Sequence, residues 1–280
     1  GAKMSMIGLD LGTTACKAIA INEEGKIISS ASVEYKPVKS KQGYVELNPN
    51  NVWQCVKKVL GEIAQETHSD PVRAISISAM GDTITPFNKK NEPTYNSILA
   101  FDNRSVEETN IIGQKLTKEW LFQKTGMPLH TSYSASKILW IKNHLPHVFK
   151  ETKKFLCYED YIFAELGLSE PVISYPNAGR TMLFNIKTKK WQPEILSFCG
   201  IDESYLANPI ESGKVIGKMA HAIVEELGFS HKDILLIAGG HDQPCGALGA
   251  GIYKEGSLLD SMGTVECLLM AFDKPVLKKK

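Results

Sequence analysis

Residues 6–21, MIGLDLGTTACKAIAI, decide how the rest of the chain is read. Two short apolar runs, 6–12 and 15–22, meet at a turn made by Gly12, Thr13 and Thr14. Runs of this length, rich in aliphatic residues and broken by Gly, read as strands. A Glu23-Glu24-Gly25 turn leads into a third run at 26–34, so the opening predicts an antiparallel meander. Asp10 stands inside the first strand, where a carboxylate is costly unless it meets a partner. What Asp10 faces is therefore the first functional question the chain poses.

Outward from this hairpin, 43–51 reads as a loop, and Val52, Val56, Val59, Leu60 and Ile63 then recur at helical spacing. VRAISISA (72–79) returns to a strand, and further helical patterns cover 106–123, 134–144, 193–198 and 218–227. Residues 234–238 are wholly apolar, as in a strand covered on both faces. Together these predict an α/β fold with a mixed sheet flanked by helices.

Bulk properties narrow the function classes. With 43% hydrophobic and 22% charged residues over 280 positions, the composition is that of a globular chain of one large or two modest domains. Lys plus Arg number 32 against 31 Asp plus Glu, so no basic excess points to nucleic acid or a membrane surface. No apolar run approaches about 18 residues and no secretory signal precedes the first strand, so a cytoplasmic location is expected. Gly1, Ala2 and Lys3 read as residues added ahead of the first strand. Cys16, Cys55, Cys157, Cys199, Cys245 and Cys267 are scattered without a CxxC pair, which fits reduced, packed thiols and no structural zinc. His144 and His147 flank Pro146 at a helix end and read as surface histidines. Trp53, Trp120, Trp140 and Trp191 read as packing residues.

An internal echo follows. LLDSMGTVECLLMA (258–271) repeats the opening plan: an apolar strand with an embedded Asp260, a Gly263-Thr264 turn and a second apolar strand. A Gly-Thr turn lets backbone N–H groups approach an anion, and the hydroxyl adds a donor. Two such hairpins facing each other could hold a polyphosphate from both sides. Either one alone is equally a plain β-turn; their duplication in matching contexts favours the anion reading. A third stretch, LLIAGGHDQPCGALGAG (235–251), runs from a strand through Gly239-Gly240 to Asp242 at a helix start, with Pro244 in the first turn. Asp242 can be read as an N-cap, or as a carboxylate placed to accept a proton from a substrate hydroxyl. The many small residues after it call for close approach of another backbone or a ligand, because Gly inside a helix costs about 1 kcal/mol against Ala.

With these motifs quoted, SILAFDNRS (97–105), SYPNAGRTMLFNIKTKKW (174–191) and SMGTVE (261–266) complete an ordered series. The series resembles the FGGY family of carbohydrate kinases, from Met6 to about Ala271; each motif alone is weak, and their order gives the resemblance its strength. The resemblance implies an RNase H-like (actin-type ATPase) core, with an N-terminal sugar-binding lobe at 4–254 and the beginning of an ATP-binding lobe at 255–280. It implies ATP and Mg²⁺ as cofactors and a small-molecule sugar as partner, without nucleic acid or membrane; a homodimer stays open. Asp242 matches the catalytic base, and Asp10 the first-strand carboxylate that positions Mg²⁺ through water. Gly12, Thr13, Thr14 and Lys17 match the first phosphate site, and Gly263 and Thr264 the second.

The sugar loop is less sharply placed. Glycerol kinases carry an Arg-Glu pair there and xylulose kinases a Met-His pair. Counting from the strand puts the pair on Gly81 and Asp82; counting from the next hairpin puts it on Met80 and Gly81. Asp82 is the expected hydroxyl acceptor, and neither register supplies the Arg, which disfavours glycerol. Asp102, Ser132 and Gln243 are further sugar-binding candidates by resemblance, while Arg104 reads equally as a ligand or as a structural ion-pair partner. Ile173-Ser174 departs from the family's Thr-Asp, with Asn177 and Arg180-Thr181 kept.

The activity implied is ATP-dependent phosphorylation of a hydroxyl on a ketose such as a pentulose, or on a related polyol or sugar acid. The chain stops at DKPVLKKK (273–280), soon after the second hairpin begins, so the alternative is a catalytically silent sugar-binding or interaction domain derived from such a kinase. An actin-like or chaperone-type ATPase would share the hairpins but not GGHDQ or NAGRT.

Overall fold

The computed structural model describes residues 3–40, 43–262 and 266–277. The chain opens with the expected meander of β1 (Ser5–Leu11), β2 (Ala15–Asn22) and β3 (Ile27–Glu34). β4 (Val38–Lys39), β5 (Val45–Leu47), α1 (Pro49–Glu66), β6 (Val72–Ala79), β7 (Thr85–Phe87) and β8 (Ser97–Ile98) follow. Next come α2 (Val106–Leu116), α3 (Lys118–Thr125), α4 (Ser134–His144), α5 (Pro146–Glu151), β9 (Lys154–Leu156) and α6 (Tyr158–Glu165). β10 (Val172–Ser174), α7 (Tyr175–Gly179), β11 (Phe184–Asn185), β12 (Lys190–Trp191), α8 (Pro193–Cys199) and β13 (Asn208–Ile210) lead to β14 (Val215–Lys218). α9 (His221–Leu227), β15 (Leu235–His241), α10 (Asp242–Gly249), β16 (Leu258–Met262) and β17 (Glu266–Met270) complete the order.

The central sheet runs β14-β15-β6-β1-β2-β3. β1 is antiparallel to β2 and parallel to β6, and β15 is parallel to β6, so the sheet is mixed as expected. Alternation fixes its register. Ile7, Leu9 and Leu11 are buried on one face, and Met6, Gly8 and Asp10 point to the other. A slip of one residue would carry Asp10 into the core and Leu9 into solvent.

α1 covers the buried face over β2 and β3. Its N-cap Asn48 accepts the Asn51 N–H and Pro49 fills the first turn, where no N–H is needed. Val52, Val56, Val59, Leu60 and Ile63 are wholly buried, each contributing about 1.5–3 kcal/mol relative to exposure. Over β1 and β2 the other face is open, with Met6 and Ile19 each 43% exposed.

Local chemistry explains where the elements depart from the expected pattern. The helix expected over 106–123 is two helices, because Thr117 takes a positive φ of 56° and its side chain then caps α3 at the Trp120 N–H. Lys218 belongs to β14, and α9 starts only at His221, after extended Ala220. The expected loop at 43–51 holds β5 and the start of α1.

β15 runs past 238 through a bulge. Its pairing with β6 steps from Ile237 opposite Ser76 to Gly240 opposite Ser78, so β15 carries one extra residue. The bulge needs glycine at 239, where a Cβ would lie 1.8 Å from the Ile77 carbonyl oxygen.

β16 and β17 form a separate hairpin that touches α10 through β17. Beyond it, the Leu277 carbonyl accepts from Gln123 Nε2 of α3 at 2.6 Å. All six cysteines are free. Among the described residues no helix is long and apolar enough to cross a membrane.

Candidate active site

The parallel register sets Asp10 beside Ser78 of β6, and the antiparallel register sets it opposite Lys17 of β2. Ser78 Oγ donates to Asp10 Oδ1 at 2.8 Å, while Oδ2 has no protein partner among the described residues. Lys17 is exposed on the same open face. Immediately beyond, the Gly12 N–H bonds the Ala15 carbonyl at 3.0 Å and closes the turn. Thr13 and Thr14 are not buried, so the turn offers its hydroxyls to solvent.

Asp242 approaches the same cleft from the bulged end of β15. It is the first residue of α10 and not its N-cap, which is His241. Asp242 Oδ1 accepts the Gln243 N–H at 2.7 Å and lies 3.0 Å from His241 Nε2, leaving Oδ2 without a protein partner among the described residues. Burial, then Arg180, pushes His241 down to about 4, so at neutral pH the ring carries no charge. Burial raises the Asp242 carboxyl above its ordinary value, and Asp10 and Asp82 push the same way. Gly8, Asp10, Ser78, Asp242, Gln243 and Cys245 are among the residues lining one cleft of about 560 Å³.

The residues expected from the sequence to form a sugar loop lie next to this cleft. Gly81 packs so closely on His241 that a Cβ there would meet the imidazole at 2.8 Å. Asp82 takes a positive φ of 66° and is nearly buried. Both of its carboxylate oxygens are gripped by Arg180, Nε to Oδ1 at 3.0 Å and Nη2 to Oδ2 at 2.8 Å. Arg180 is 31% exposed against 7% for Asp82, so the more accessible polar group here is the guanidinium. Met80 is buried, with its N–H on the Leu11 carbonyl. Ser132 is half-buried and bonds His130 Nδ1 at 2.7 Å.

A residue not singled out from the sequence joins these segments. Lys137 of α4 is wholly buried and donates Nζ to the carbonyls of both Asp82 and Ser132. Burial pushes its ammonium down from 10.5 to about 7, against the pull of Asp82 and Asp102. Between those values the unfolded chain holds a proton that the folded chain has released, so stability rises with pH. We expect the wild-type advantage over Lys137→Met to grow by about 1 kcal/mol from pH 7.5 to 8.5 in denaturant unfolding. A difference that stays flat or shrinks with pH would contradict this placement of Lys137.

The structure does not bring Asp102 to the cleft. It is wholly buried, and its oxygens accept from Arg104 Nε at 2.8 Å, Arg104 Nη2 at 2.7 Å and the Val45 N–H at 2.5 Å. Arg104 in turn stacks 3.9 Å over Tyr44 and pairs with Glu46. This pair anchors the β5–β8 layer, and both Asp102 oxygens are engaged in it. Gly263 and Thr264 lie outside the described residues. In α10, Cβ atoms added at Gly246 and Gly249 would meet nothing within 4 Å, so close packing inside the described residues does not explain those glycines. His144 is half-exposed and bonds Glu108 Oε1 at 3.0 Å. Among the described residues no three His, Cys, Asp or Glu side chains gather as a metal cage.

The mixed sheet, the carboxylate and Gly-Thr-Thr turn at the end of its central strand, and the second carboxylate opening a helix define an RNase H-like, actin-type lobe. A family model for the N-terminal domain of the FGGY family of carbohydrate kinases matches residues 5–249, and the chain belongs to that family. It is similar to a xylulose kinase of Staphylococcus xylosus, 31% identical over 261 residues that make 92% of this chain and 53% of that protein. A gluconokinase of Bacillus subtilis is 27% identical over 275 residues, covering 98% of this chain and 53% of that protein. The crystal structure of gluconate kinase from Lactobacillus acidophilus superposes with a TM-score of 0.90 at 26% identity, over 95% of this chain and 54% of that one. The chain thus spans about half the length of the relatives it matches.

Proposed function

We propose that the protein transfers phosphate from ATP to a hydroxyl of a small sugar, with Asp242 as the general base. The observation that carries this reading is one cleft lined by both Asp242 and Asp10, the latter on the strand that leads into the Gly12–Thr14 turn. Asp242 keeps Oδ2 unengaged while its Oδ1 is held, so one oxygen is available to take the proton from an attacking hydroxyl. Its raised carboxyl basicity suits that task, because a base works best with a pKa near the working pH. Asp10, with Ser78 bound to Oδ1 and Oδ2 without a partner among the described residues, fits Mg²⁺, which keeps most of its water and takes one or two carboxylates. Bound there, Mg²⁺ would supply neutralisation of the phosphate charge.

The backbone and hydroxyls of Gly12, Thr13 and Thr14, with Lys17, would orient the phosphates from one side, and Gly263 and Thr264 from the other. Positioning and charge stabilisation then carry the transfer. In this reading residues 4–254 are the sugar lobe, and the hairpin after 255 opens the ATP lobe. Arg180, held by Asp82, joins Ser132 and Gln243 as a sugar contact. The substrate class is a ketose or a related polyol or sugar acid, in line with relatives named xylulose kinase and gluconokinase.

Calorimetric titration of the chain with pentuloses, hexuloses, gluconate, polyols and Mg·ATP tests the sugar site. We expect one sugar class to bind, and Asp82→Ala to weaken that sugar by more than it weakens ATP, since the substitution frees Arg180. No binding across the panel, or a larger loss for ATP, would overturn the assignment.

A further inference from the structure

Glu159 is the second residue of α6 and is wholly buried. Its partners are neutral donors from two separate segments. Oε1 accepts the Gly239 N–H at 3.0 Å. Oε2 accepts the Ser174 N–H at 3.0 Å, Ser174 Oγ at 2.6 Å and Asn177 Nδ2 at 2.6 Å. We infer that Glu159 is a positioning residue that aims Asp242 and Arg180 into the cleft; for Asp242 this rests on the reading above.

Gly239 is where the β15 bulge leaves the ladder, and its N–H finds this carboxylate. A buried N–H without an acceptor costs about 1–3 kcal/mol. Glu159 therefore stabilises the bulged path over a regular strand. The path resumes register at Gly240 opposite Ser78 and His241 opposite Ala79, and Asp242 comes next. Where the bulge sits thus fixes the direction in which α10 begins.

The other oxygen holds Ser174 and Asn177 at the start of α7, and Arg180 closes that helix. Arg180 then grips Asp82 of the sugar loop. One carboxylate consequently ties the strand that delivers the base to the turn that delivers the guanidinium. A residue serving only to fill space would need neither this donor set nor a charge. Glutamine cannot substitute: it has one acceptor oxygen, and its NH₂ would face either the Gly239 N–H or the Ser174 and Asn177 donors.

The test uses the whole chain, with Glu159→Gln beside wild type. In ¹⁵N spectra we expect the Gly239 amide to exchange at least tenfold faster in the variant and the Asp242 amide resonance to move. Wherever sugar-dependent turnover is measurable, we expect it to fall on the order of a hundredfold, with a much smaller loss of sugar affinity through Arg180, because misplacing a base by about 1 Å has the larger effect. Unchanged Gly239 exchange in the folded variant would overturn the inference. So would parallel losses of sugar affinity and turnover, which a merely structural role produces. Should Glu159→Gln fail to fold, wild type alone decides: a scalar coupling across the bond from Gly239 N to the Glu159 carboxyl carbon is expected, and its absence with fast exchange refutes the clamp. The base reading fails separately, by turnover that persists in Asp242→Asn.

Discussion

Asp242→Asn is expected to lower sugar-dependent phosphate transfer by about 10²–10⁴-fold while leaving sugar affinity nearly intact. The substitution keeps the shape of the side chain, and an amide oxygen can still accept the Gln243 N–H that Oδ1 accepts now. What is lost is the oxygen able to take a proton. Burial raises this carboxyl above its ordinary value, so the acid limb of the wild-type pH profile should lie above that of a free aspartate. Protonation on that limb removes the base, so turnover should fall as pH falls. His241, pushed down to about 4 by burial, is already neutral at neutral pH. The check is a pH profile of wild type and variant with a sugar titration of each. Near-normal turnover in the variant would overturn the assignment.

Gly239→Ala should be the most damaging single-methyl change in the sheet. A Cβ there would lie 1.8 Å from the Ile77 carbonyl oxygen and 2.9 Å from the Ile77 nitrogen. These are backbone atoms of the neighbouring strand, so no side chain can swing aside. Either β15 separates from β6 or the bulge moves, and both release the N–H that Glu159 holds. Overpacking of this kind costs about 1–3 kcal/mol, and the lost hydrogen bond adds about 1 kcal/mol. Gly246→Ala is the control, because its Cβ meets nothing within 4 Å and the position is inside α10. There alanine should stabilise by up to about 1 kcal/mol. Denaturant unfolding of both variants measures the contrast, and equal effects would contradict the bulge geometry.

The parts of this fold legible in the sequence were those written in local pattern. Short apolar runs broken by Gly-containing turns over 6–34 gave the meander, and helical spacing at Val52 to Ile63 gave α1. Asp10 and Asp242 stood out because each breaks a local rule, one as a charge in a strand and the other as an acid at a Gly-rich junction. The rest depends on contacts between distant residues, which leave no period. Glu159 reaches Gly239 across 80 positions and Arg180 reaches Asp82 across 98. Lys137 reads as one polar residue in an amphipathic helix until its Nζ is seen on two carbonyls. The burial of Asp102 was hidden for the same reason, since its partners Val45 and Arg104 close around it only in the folded chain. The break at Thr117 was hidden because a positive φ at a threonine has no sequence mark.

The central claim is that this cleft moves phosphate from ATP to a sugar. The most direct measurement is ³¹P detection of products from Mg·ATP with the sugar that binds best, for the chain as it stands and for a form extended to the length of its relatives. The account predicts ADP and sugar phosphate in equal amounts, formed only when sugar is present and lost in Asp242→Asn. ADP released at the same rate without sugar, or bound sugar left unphosphorylated even in the extended form, would contradict it.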